Sequence, residues 1–190
     1  MLIVFGIALA QVVVGEPAVG AADASGELLT RWTIRLALGC YALSVFLVLT
    51  ERSDHPRGGR WAWTAGLLAY LAHVACAFHY YHDWSHDAAY ATTAAETREV
   101  VGLDWGGGLY FNYGFTTLWL IDVLWWWAHP RSRASRPRAI GYALHGFLAF
   151  MAFQATVVFE GGPVRWAGLA ATALLGTLWL RSGRTKEPPS

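Results

Sequence analysis

Three histidines and two aspartates fall within nine residues, from His79 to Asp87, directly after an apolar run. On a helix turning about 100° per residue, His79, His82, Asp83 and His86 share one arc, flanked by Asp87 and Tyr90. Two imidazoles four residues apart, as His82 and His86 are, can grip one metal ion, and a carboxylate or third imidazole one turn away completes the set. The spacing therefore predicts a metal site of His79, His82, Asp83 and His86. Nitrogen and oxygen donors without a nearby Cys or Met suit a divalent Zn, Fe, Mn or Cu ion.

Two carboxylates nearby are the candidate catalytic groups. Asp87 would ligate the metal or orient a ligand, and Glu96 would be a further ligand or a general base. Metal-bound water would then hydrolyse a lipid-like substrate, or a redox metal would oxidise one. The opposing reading needs no metal. Asp83 or Ser85 would cap a separate helix over 86–101 that ends at Gly102, and the break would scatter the arc. In that case Glu96 pairs with Arg98 on a solvated face. Helix continuity through residue 83 decides between the two.

The elements that must position these side chains are apolar. Of 190 residues 55% are hydrophobic, only 14% are charged, and 11 are Trp, which is too apolar for an ordinary soluble domain. Five stretches, about 28–49, 61–81, 107–128, 139–159 and 163–180, approach the roughly 20 residues that cross a bilayer core. The expected fold is an all-α, polytopic membrane bundle of five or six spans in one domain, 1–190, with an interfacial helix over about 86–101. Residues 1–14 are apolar but short and no basic residue precedes them. They read as a short retained span or as a signal that is removed.

Charge sets the orientation. Basic residues gather at 50–60, at 129–138 and beyond Arg181, whereas 15–27, 82–105 and 160–163 hold only Arg98. By the positive-inside rule the arginine-rich segments and the C-terminus face the cytoplasm, in a bacterial inner membrane. The histidine stretch is then extracytoplasmic, beside Glu16, Asp23, Glu27, Glu99, Asp104 and Glu160. A net charge of +1 with no basic stripe excludes a nucleic-acid partner. Membrane lipid and other membrane proteins are the expected partners.

Ionisable groups deeper in the spans are costly in lipid and so need partners. Asp122 and His145 fall at similar depth on neighbouring spans, which predicts a direct hydrogen bond. His73 and His145 are also the candidate cofactor-binding residues of an alternative reading, a redox subunit holding haem b or coupled to quinone. A third reading is a non-enzymatic subunit or assembly factor. Three glycines, Gly106 to Gly108, either make a tight turn into the next span or line the histidine cavity, which Asn112 and Tyr113 are placed to face. Cys40 and Cys76 sit at different depths and do not predict a disulfide. Gly-x-Ser-x-Gly, HExxH, GxGxxG, Cys-x-x-Cys and P-loop patterns are absent.

Overall fold

A computed structural model describes residues 24–50, 57–158 and 162–184. The expected first span or signal at 1–14, the acidic residues Glu16, Asp23 and Glu160, and the tail beyond 184 lie outside the described residues. Within them the chain forms seven helices and no strand: α1 Ala24–Thr50, α2 Arg57–Tyr81, α3 His86–Val101, α4 Gly108–Ala128, α5 Pro130–Ala134, α6 Arg138–Phe153 and α7 Gly162–Arg184. A π-helical turn, Gln154–Val158, prolongs α6.

Two of these helices, α1 and α2, are long and apolar enough to cross a membrane, and they point to membrane association. The other expected spans are weaker on this measure. In α4, Tyr110, Asn112, Tyr113, Asp122 and the tryptophans bring polar atoms into an otherwise apolar helix, and α6 is short.

The α1–α2 hairpin has the most extensive contact. Polar bonds fasten it at both levels: His73 Nδ1 lies 3.0 Å from the Thr30 carbonyl, and Ser44 Oγ donates to the Gly59 carbonyl at 2.7 Å. Small buried residues, Ala37, Ala62 and Ala69, let backbones approach. Against this hairpin pack α4 and α7, and α6 rests on α4. Their shared core is aromatic: Tyr41, Trp63, Tyr70, Phe115 and Trp119, closed by Leu148 and Met151. Tyr70 and Trp119 stack at 5.9 Å, and Phe115 meets Tyr70 edge-on at 4.9 Å.

The bundle has two chemically distinct ends. One carries Tyr81, α3 and the start of α4, hereafter the histidine end; the other carries Arg57, α5 and the start of α6, hereafter the arginine end.

Candidate functional site

The helix breaks at the histidine stretch. α2 ends at Tyr81, and both Asp83 and Trp84 take left-handed backbone angles, φ 46° and 57°. A bulky residue adopts this only when its surroundings impose it. Here the Trp84 ring folds back over the helix end against Phe78 and His79, and its indole N–H donates to His79 Nδ1 at 3.4 Å. Ser85 then caps α3, its hydroxyl accepting the Ala88 N–H at 3.2 Å. Gly102, at φ 74°, ends α3 with its N–H on the Arg98 carbonyl.

The continuous helix that would have gathered the four metal ligands is thus replaced by a capping turn. His79 is engaged by Trp84. His86 Nδ1 lies 3.0 Å from the Tyr113 hydroxyl on α4. His82 buries its Nδ1 without a partner, and burial lowers its pKa. Asp83 sits in the turn and Asp87 in the exposed first turn of α3. Among the described residues no three His, Cys, Asp or Glu side chains converge as a metal set.

Glu96 also departs from expectation. It is 5% exposed, with Oε2 unpartnered, while Arg98 reaches Asp104 instead, at 3.8 Å on the surface. Thr93 and Thr97 flank Glu96, but their hydroxyls donate to carbonyls of their own helix. Desolvation, with help from Glu99, pushes the Glu96 carboxyl up to about 8. It is held as the neutral acid at pH 7. The three glycines make the tight turn: a Cβ on Gly106 would lie 2.3 Å from the Tyr90 carbonyl of α3.

At the arginine end the expected Asp122–His145 bond is replaced by a larger network. Arg133 of α5 donates to Asp122 through Nε at 3.1 Å and Nη2 at 2.7 Å, and Arg136 through Nη1 at 2.5 Å. Arg136 Nη2 also donates to His145 Nε2 at 3.2 Å, so His145 meets Asp122 only through an arginine. Arg133 lies over Trp126 at 3.7 Å, and His145 against Trp63 at 5.5 Å. The α4–α5 corner folds the arginines back because Pro130 starts a new helix as α4 stops at His129. This network holds helices together, and none of its fully buried side-chain atoms lacks a hydrogen-bond partner.

It also separates the two candidate haem ligands. Trp63, beside His145, is ten residues from His73 on α2, about 15 Å along the axis. Two imidazoles on one metal each sit about 2 Å from it. His73 and His145 therefore cannot share one iron.

Between these ends, α1, α2, α4 and α6 leave a narrow apolar crevice of about 20 Å³, room for about one water, whose walls include Tyr41, Tyr70, Phe115, Trp119 and Met151. One turn towards the histidine end, each of these helices carries a buried polar residue: Thr30, His73, Asn112 and Gln154. Asn112 Oδ1 and Gln154 Oε1 are buried without a hydrogen-bond partner, as are the indole N–H groups of Trp63 and Trp119. The sequence points to Asn112 and His73; Thr30 and Gln154 are lone polar residues in apolar runs, with no signal beyond that.

Comparison with protein-family models, with curated proteins and with solved structures gave no match.

Proposed function

We propose that this chain is a multi-pass protein of a bacterial cytoplasmic membrane whose apolar outer surface meets lipid and other membrane proteins. The observation that carries the reading is the row of large apolar side chains exposed along the long helices, Leu36, Leu43, Leu68, Leu120, Leu124 and Leu174 among them. Contiguous exposed apolar surface of this kind marks contact with a membrane or a protein partner.

In this proposal α1, α2, α4, α6 and α7 cross the bilayer and α3 lies on the extracytoplasmic surface. The exposed arginines Arg57, Arg131 and Arg138 then face the cytoplasm, as the positive-inside rule requires.

Cells expressing the chain are expected to keep it in the membrane pellet through an alkaline carbonate wash, and its release into the wash would rule the reading out. For orientation, a cysteine at Asp87 should react with a membrane-impermeant maleimide in intact cells. One at Arg131 should react only after lysis; the reverse pattern would invert the topology.

A further inference from the structure

The arginine end holds a second group of polar and charged side chains, outside the Asp122 network. Arg57, Arg60, Trp61 and Thr64 fall at i, i+3, i+4 and i+7 on the first two turns of α2, so they share one side of it. Trp127, in the last turn of α4, closes against that side. Its indole N–H donates to Thr64 Oγ1 at 3.0 Å, its ring meets Trp61 edge-on at 4.8 Å, and the Arg60 guanidinium lies 4.1 Å over it. Such stacking holds a guanidinium in place without using its N–H groups. Arg60 Nε is buried without a partner, while the terminal nitrogens reach the surface and bond to no described residue. Among the described residues the carboxylate at this end is Asp122, and Arg133 and Arg136 already take it.

From this cation the surface turns apolar along the seam between α2 and α4, which run in opposite directions and pack together. One turn on from Thr64, Leu68 is 62% exposed; one turn back from Trp127, Leu124 is 58% exposed. Trp61 and Trp127, both exposed, stand between the cation and the leucines, at the level where tryptophans meet lipid headgroups. A cation, an aromatic belt and an aliphatic strip in that order complement a phospholipid with an anionic head. A planar guanidinium grips two phosphate oxygens at once. A zwitterionic head brings an ammonium of its own, which Arg60 repels. Free phosphate would leave the leucines uncovered.

Resting on the membrane reading above, we propose that the α2–α4 seam at Arg60 binds an anionic phospholipid of the cytoplasmic leaflet. Its phosphate sits on the Arg60 guanidinium and one acyl chain lies along Leu68 and Leu124.

The test is native mass spectrometry of the full chain in detergent, with dioleoylphosphatidylglycerol, dioleoylphosphatidylcholine and inorganic phosphate as probes. The phosphatidylglycerol should bind at least about tenfold more tightly than the phosphatidylcholine, as one charge-assisted hydrogen-bonded contact implies. Arg60→Gln should remove that preference and leave phosphatidylcholine binding unchanged; Trp127→Leu, which unpins the guanidinium, should weaken it. Arg181 is the control: it is exposed in the last turn of α7, at the same end, where Trp179 meets Tyr142 of α6. Arg181→Gln should keep the preference intact. Equal binding of the two lipids by the parent chain overturns the inference without any variant having to fold. So does an equal loss in Arg60→Gln and Arg181→Gln, which would mean diffuse positive charge rather than a site. Inorganic phosphate bound through Arg60 with no lipid preference would make this a free-phosphate site and overturns the lipid assignment. Each of these outcomes leaves the membrane reading standing; release of the chain by the carbonate wash overturns that reading itself.

Discussion

Asp122→Ala is expected to destabilise the fold by about 3–5 kcal/mol, the largest effect of any single substitution in the arginine-end network. Asp122 is 1% exposed and receives both Arg133 and Arg136. Removing it strands two guanidinium groups whose side chains are only 13% and 11% exposed. Neither can be neutralised, because arginine stays protonated at any accessible pH. Arg133 and Arg136 would have to swing out to water, breaking the contacts to Trp126 and His145 and freeing the α4–α6 corner. The pair's net worth is smaller than the cost of breaking it, so the triple change Asp122→Leu, Arg133→Leu, Arg136→Gln should recover much of the loss. Thermal unfolding in one detergent measures both. An Asp122→Ala protein within about a degree of the parent would show that the network contributes nothing.

The second large effect is a pH dependence centred on Glu96. Its carboxyl, ordinarily near 4.5, is raised to about 8 by burial. Between those two pH values the folded chain keeps a proton that the unfolded chain releases, so stability falls as pH rises through the window. Below about pH 4.5 both states are protonated and Glu96 contributes no penalty; above about 8 the penalty is complete. Its size is on the order of a few kcal/mol. Glu96→Gln keeps the shape of the neutral acid and removes the titration. The variant should match the parent at pH 5, exceed it at pH 9, and flatten the midpoint temperature across the range. An unchanged slope would show that some other group sets the dependence. The effect belongs to α3, whose buried stripe of Ala89, Thr93, Glu96 and Thr97 supplies no donor for a charged carboxylate.

Both effects rest on residues visible in the sequence but wrongly partnered there. Asp122 and His145 were matched by depth, which ignored a pair of arginines that read only as a cytoplasmic charge marker. The short α5 turns Arg133 and Arg136 back towards the bundle, and no periodicity in the spans encodes that return. Glu96 reads in sequence as a ligand, a general base or the partner of Arg98, yet Arg98 is two residues away. On a helix, residues two apart point to different sides.

Local chemistry along the chain was enough to determine the long helices, the apolar character of α1 and α2 and the polar character of α3, but not the short α5. Ser85 and Gly102 are a cap and a stop whose signals act within one turn of backbone, so α3 was legible at both ends. The same local pattern also fitted an unbroken helix carrying His79, His82, Asp83 and His86. What decided against it was Trp84 folding back on Phe78 and His79, a contact that forces two left-handed residues. The aromatic core depended on tertiary structure altogether. Tyr41, Trp63, Trp119 and Met151 lie on four helices separated by tens of residues, and only the rotation and depth of each helix in the bundle bring them into one cluster. Sequence spacing fixes which residues share a face of one helix; it carries no measure of which faces of different helices meet.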